Sequence, residues 1–160
     1  RMFEGGEPPK ILVADGVQDI RNIGAIARSC TAFGIDLLIV GTKVNAEIGE
    51  GAVKSSAGAL LKLPVARVKS LTECMTYLKS WGIVQIAASE RGDHSSVELA
   101  ELGKNGYALW MGNEDRGLPR ERLAEVDHSV AIPMQNNLDS LNVSVATGIM
   151  LYELNKLSNS

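Results

Sequence analysis

The sequence predicts a three-layer α/β fold with a mainly parallel sheet. Three observations carry this. Short apolar runs rich in Val, Ile and Leu recur along the chain, at residues 11–15, 37–40, 63–68, 83–88, 107–111 and 129–132. Several are apolar throughout rather than alternating, as strands covered on both faces must be. Between them lie stretches with apolar residues near i, i+3, i+4 and i+7, so strands and helices alternate. At 160 residues the chain is long enough for one domain with its own core.

Residues 1–10 contain Gly5, Gly6, Pro8 and Pro9 and read as a tail or linker, leaving 11–160 as the domain. The first strand ends at Asp15 and Gly16. Residues 22–33 then predict a helix, with Asn22 in capping position, Ile23, Ile26, Ala27, Cys30 and Phe33 on its apolar face, and Gly34 as the stop. With the second strand this makes a βαβ unit, which requires parallel pairing. A weaker helix is expected over 45–56, followed by a small-residue stretch at 55–59. Pro64 stands at the start of the third strand, where a missing N–H is tolerated. Ser70 caps a helix reaching about Ser80, with Leu71, Cys74, Met75 and Leu78 as its buried stripe. Residues 89–105 are polar and mixed, with no clear element. A short helix is expected over 120–125. The last helix runs to about Leu157, capped by Ser140, with Leu141, Val145, Ile149 and Leu154 on its apolar face. Trp81 and Trp110 read as core or interface residues.

Composition narrows the function. Sixteen Lys and Arg face nineteen Asp and Glu, a formal charge of −3, which argues against a freestanding nonspecific nucleic-acid binder. RNA affinity then needs a local patch, a dimer surface or a further domain. No apolar run is long enough to span a membrane, and no signal peptide opens the chain. Cys30 and Cys74 form no C-x-x-C pair and have no histidine at metal spacing, so two buried free thiols in a cytoplasmic protein are expected.

Ligands of open parallel sheets bind outside the carboxyl ends of the strands. Three loops there carry unusual chemistry: 15–28, 112–118 and 133–144. The second, Gly112-Asn113-Glu114-Asp115-Arg116-Gly117, lacks the glycine spacing of dinucleotide folds and the Gly-Lys-Ser/Thr of a P-loop. Its free backbone groups suit an adenine or ribose edge instead. In the third loop, Asn142 and Ser144 sit among apolar residues at a helix mouth, where good helix formers are expected; a ligand site explains them better than packing does. Taken singly, Arg28 reads as a solvated or ion-paired helix residue, Asn22 as a cap and Glu114 as a turn carboxylate.

Together the motifs make a resemblance. Asn22-Ile23-Gly24-Ala25-Ile26-Ala27-Arg28 follows the strand that ends in Asp15. Met111-Gly112-Asn113-Glu114-Asp115-Arg116-Gly117-Leu118 comes next. Ile132-Pro133-Met134 leads to Ser140-Leu141-Asn142-Val143-Ser144-Val145-Ala146. In this order the chain resembles the SpoU (TrmH) family of RNA 2′-O-ribose methyltransferases, of the SPOUT superfamily, over roughly residues 10–157. It departs from many members at Ile20-Arg21, where they carry a proline.

The resemblance implies a C-terminal trefoil knot, a homodimer whose active sites draw on both protomers, and S-adenosylmethionine as cofactor, with no metal. By the same likeness Met111, Gly112, Asn113, Glu114, Gly117, Ile132, Met134, Leu141 and Asn142 line the cofactor pocket. Asn22, Arg28, Glu114, Ser140 and Asn142 surround the ribose of an rRNA or tRNA substrate. Two other classes stay open at this point: an α/β cofactor enzyme acting on a small molecule, and a non-catalytic RNA-binding module.

Overall fold

A computed structural model describes residues 6–42 and 62–156. Its strands are β1 (Lys10–Asp15), β2 (Leu37–Gly41), β3 (Val65–Val68), β4 (Gln85–Ala88), β5 (His94–Ser95), β6 (Tyr107–Gly112) and β7 (His128–Ala131). They form one sheet in the order β3-β2-β1-β6-β4-β7-β5, with every neighbouring pair parallel. The helices are α1 (Ile20–Ala32), α2 (Leu71–Ser80), α3 (Leu99–Leu102), α4 (Arg120–Leu123) and α5 (Val143–Leu154), with a 3-10 turn at Ser96–Glu98. The expected helix over 45–56 and the stretch at 55–59 lie outside the described residues.

Alternate residues of each central strand enter different cores, as strand geometry dictates. Leu12 and Ala14 join Ile23, Ile26, Cys30, Leu109, Met150 and Leu151 under α1 and α5. Ile11 and Val13 join Ile39, Met75, Leu78, Trp110 and Leu118 under α2 and α4. The sheet is therefore the middle of three layers. Among the described residues no helix is long and apolar enough to cross a membrane.

Several expected boundaries move, each for a local reason. Asp19 rather than Asn22 caps α1: its carboxylate accepts from Arg21 N at 2.8 Å, so helix geometry begins at Ile20. Asn142 rather than Ser140 caps α5, its side-chain oxygen accepting from Ser144 N and Val145 N. The buried face of α5 is Val143, Thr147, Met150, Leu151 and Leu154, not the expected line through Leu141, Val145 and Ile149. Val145, expected inside, is 51% exposed. Thr147 is accommodated because its hydroxyl donates to the Val143 carbonyl at 2.7 Å. β4 begins at Gln85, since Gly82 (φ 75°) and the Ile83 N–H to Leu78 carbonyl bond still belong to the end of α2. β3 begins at Val65, although the Pro64 carbonyl already accepts from Leu38 N at 3.0 Å.

The polar stretch 89–105 holds β5, the 3-10 turn and α3. A strand of two residues carries no periodicity, but Ser95-Ser96-Val97-Glu98 is a capping box legible in sequence. The Glu98 carboxylate accepts from Ser95 N at 2.7 Å, which holds its pKa below the usual carboxylate range; a weaker contribution comes from His94.

Trp110 is fully buried and donates to Gln85 Oε1 at 2.7 Å, whereas Trp81 is 63% exposed and lies outside the core. Cys30 is buried, and burial pushes its thiol up to about 12, so it stays protonated at neutral pH. Cys74, expected buried as well, is only half-buried. Its thiol is also raised by burial, an effect that the Arg122 charge partly opposes.

Candidate active site

The carboxyl ends of β4, β6 and β7 open into one cavity of about 750 Å³. Five segments form its wall: the turn after β4 (Ser89 to Arg91), the loop after β6 (Asn113 to Leu118), Leu123 of α4, the segment after β7 (Ile132 to Leu141) and the inner side of α5 (Val143, Ala146, Met150). Parallel pairing puts all these strand ends on the same side, so residues far apart in sequence converge there.

The loop after β6 is held as a tight hairpin. Asn113 N donates to the Gly117 carbonyl at 3.2 Å, and Gly117 N returns a bond to the Asn113 carbonyl at 2.9 Å. The Asn113 side chain works at both ends. Its Oδ1 accepts from Asp115 N and Arg116 N at 2.8 and 3.0 Å, while its Nδ2 donates to the Gly16 carbonyl at 2.9 Å. The hairpin is thereby tied to the exit of β1. Gly117 takes a left-handed φ of 67°. Gly112 faces the Gly117–Leu118 peptide so closely that a Cβ would collide with backbone atoms. Gly112→Ala is therefore expected to cost about 3 kcal/mol through overpacking. That lowers the melting midpoint by about 10 °C, which a thermal melt followed by circular dichroism reads directly.

The turn after β4 is equally close. Ser89 N donates to the Val130 carbonyl at 2.9 Å, and Gly92 lies against the Val130–Ala131 backbone with no room for a side chain. This approach sets one lip of the cavity.

Of the residues singled out in the sequence, Met111, Gly112, Asn113, Glu114, Gly117, Ile132, Met134, Ser140 and Leu141 line the cavity. Asn142 sits between two lining residues, Leu141 and Val143, and its Nδ2 donates to Asn22 Oδ1 at 3.1 Å. The first and third motifs thus meet through one side-chain hydrogen bond. Ser144, N-terminal in α5, donates through its hydroxyl and its N–H to the same Asn142 oxygen. Arg28 is not brought into the cavity: it projects from α1 as an exposed side chain. Six residues apart on one helix, Asn22 and Arg28 lie on different faces.

Sequence reasoning missed what lies beneath the hairpin. Arg122 of α4 is buried, and its Nε donates to Asp15 Oδ2 at 2.7 Å. Its NH1 donates to Thr72 Oγ1 at 3.0 Å, and the guanidinium carbon lies 5.1 Å from the Trp110 ring centroid. One side chain therefore joins the end of β1, the start of α2, β6 and the helix that leaves the hairpin. In sequence, Arg120-Glu121-Arg122-Leu123 looks like a solvated turn of helix. The only available hint is Asp15, a carboxylate closing an otherwise apolar strand.

Cavity size and wall chemistry suit a nucleoside-sized ligand. Leu118, Ile132, Met134 and Leu141 offer apolar surface, and the hairpin brings backbone groups to the rim. Glu90, Glu114, Asp115 and Asp139 outnumber Arg91 and Arg116 around it, which favours a ligand bearing positive charge. Among the described residues no cluster of three or more His, Cys, Asp or Glu side chains could hold a metal.

Comparison with known proteins places the chain in a family. The profile of the SpoU rRNA Methylase family matches residues 9–152. The 23S rRNA (guanosine-2′-O-)-methyltransferase RlmB of Escherichia coli is 36% identical over 147 residues, covering 92% of this chain and 60% of that protein. An Archaeoglobus fulgidus protein described as an uncharacterized tRNA/rRNA methyltransferase is 39% identical over 146 residues, covering 91% and 64%. The crystal structure of the SpoU methyltransferase AviRb from Streptomyces viridochromogenes, in complex with the cofactor AdoMet, superimposes with a TM-score of 0.85 at 31% identity, covering 96% of this chain and 59% of that one. The chain thus spans less than two thirds of the length of each of these relatives. On the strength of the profile match across most of its length, the chain belongs to the SpoU rRNA methylase family.

Proposed function

We propose that the chain transfers a methyl group from S-adenosylmethionine to a ribose 2′-hydroxyl of rRNA or tRNA. One observation carries the reading: the Asn22–Asn142 hydrogen bond joins the first motif to the third beside a cavity lined by the second and third. The relatives' names supply the reaction, and the AviRb complex supplies the cofactor.

The cavity fits that cofactor in kind. Its apolar side chains suit the adenine and its acidic rim suits an ammonium and a sulfonium. Met111, Gly112, Asn113, Glu114, Gly117, Ile132, Met134, Leu141 and Asn142 are the residues assigned to hold it, much of this through backbone groups. When bound, S-adenosylmethionine supplies an electrophilic methyl carbon. The protein's own task is then to position the hydroxyl and to stabilise charge. Asn22, Arg28, Glu114, Ser140 and Asn142 are the side chains assigned to the ribose. Guanidinium groups keep their proton in proteins, so Arg28 is assigned to grip the adjoining phosphate and to offset the negative charge that develops on the 2′-oxygen.

The same reading includes a trefoil knot formed by the hairpin after β6 and the segment from β7 into α5, and a homodimer that completes each site. Exposed apolar side chains on α1 and α5, which pack together, support the dimer: Ile20, Val145 and Tyr152.

The test is incubation of the protein with methyl-tritiated S-adenosylmethionine and unmodified rRNA and tRNA. Label is expected in alkali-resistant dinucleotides, the signature of a blocked 2′-hydroxyl. Cofactor binding without transfer to either RNA would reduce the protein to a non-catalytic module. Label reaching only small molecules would overturn the RNA assignment.

A further inference from the structure

The hydrogen bonds around Asn142 have a direction, and we infer from it that Asn142 is a positioning residue that dictates which atom of Asn22 faces the substrate. The inference rests on the methyl-transfer reading above. Asn142 Oδ1 accepts from Ser144 N at 2.9 Å, from Val145 N at 3.3 Å and from the Ser144 hydroxyl. Only an oxygen can take backbone N–H donors, so the Asn142 amide has one permitted orientation. Its NH2 group must point away from α5, and it donates to Asn22 Oδ1 at 3.1 Å.

That bond occupies the Asn22 carbonyl. The Asn22 NH2 group makes no hydrogen bond among the described residues, so it is the end of that amide left to donate to a ligand. Polarity thus passes from the backbone donors of α5, through two amides in series, to an outward-facing donor. A donor suits a ribose oxygen that gains negative charge as it attacks, whereas an outward carbonyl would oppose that charge. Asn22 then acts as an oxyanion-type donor. Asn142 acts through it, in addition to capping the helix.

Asn142→Asp separates these two roles. The new carboxylate caps α5 as well as the amide does, because it accepts the same bonds and suits a helix N-terminus. It has no N–H to donate and repels Asn22 Oδ1, so the Asn22 amide turns its carbonyl outward. The expected result is an unchanged or higher melting midpoint and, at saturating cofactor and RNA, a kcat lower by about 100-fold. Asn142→Ser keeps a neutral cap without the amide NH2 that reaches Asn22, and its kcat is expected to fall about 10-fold. Should N142D not fold, N142S alone decides the matter. A residue that only caps the helix predicts wild-type kcat in both variants, and that result overturns the inference. Asn22→Ala serves as the control. If it keeps wild-type turnover, the ribose-site reading itself fails. If it is inactive while Asn142→Asp and Asn142→Ser turn over normally, only the relay fails.

Discussion

Arg28→Ala is expected to bind S-adenosylmethionine within about twofold of wild type and to lose about 1,000-fold in kcat. The two halves of this expectation have separate origins. Arg28 takes no part in the cavity wall, so its removal leaves the cofactor's surroundings intact. Among the described residues its guanidinium has no hydrogen bond or ion pair to lose, so stability is expected to hold as well. The charge is available for a ligand that arrives from outside. It stands on a different face of α1 from Asn22, so the proposed dimer, rather than one chain alone, would have to bring the two to one ribose. Calorimetric titration of the cofactor and single-turnover methyl transfer to RNA separate binding from chemistry. An Arg28→Ala protein with near wild-type turnover on its RNA sinks the assignment.

Arg122→Ala is the most damaging stability variant expected. The Arg122–Asp15 pair is withdrawn from water, with both side chains about 10% exposed. Removing the arginine strands the carboxylate in a dry site and leaves Thr72 and Trp110 without their neighbour. Breaking a buried pair in this way costs about 3–5 kcal/mol, or about 10 °C in melting midpoint for a chain of this size. The exposed Lys79–Glu125 pair, 3.2 Å apart, is worth less than about 1 kcal/mol by contrast. Replacing both buried partners with apolar residues, as in Arg122→Met with Asp15→Leu, is expected to recover most of the loss. Urea unfolding of the two variants and wild type measures the difference. Equal stability of Arg122→Ala and wild type would show that the pair contributes nothing net.

What could be read from sequence follows from where the physical signal is local. Ile11 to Ala14 and Leu109 to Met111 announce central strands because both faces are buried, and burial on two faces leaves only apolar choices. The two-residue β5 has no such run. The caps are ambiguous for another reason. Asp19 and Asn22, or Ser140 and Asn142, are all capping types two or three residues apart, and only backbone geometry selects between them. Much of the cavity wall was legible through its motifs, because hairpin glycines and a proline-ended strand keep fixed spacing. Arg122 was not legible: its partner lies 107 residues earlier, and no local pattern distinguishes it from the solvated Arg120.

The strand order has a consequence for how the molecule is made. β1 pairs on one side with β2, its close successor, but on the other with β6, which begins only at Tyr107. Likewise β4 acquires its neighbours β6 and β7 only after both have been synthesised. A nascent chain that ends before β6 therefore carries an open seam through the middle of its sheet. Unpaired apolar edges of that kind invite pairing with other chains, and contacts so distant in sequence form slowly. Folding is expected to await the last third of the chain. Until then, the central edge of the nascent chain is expected to stay open to pairing with another one.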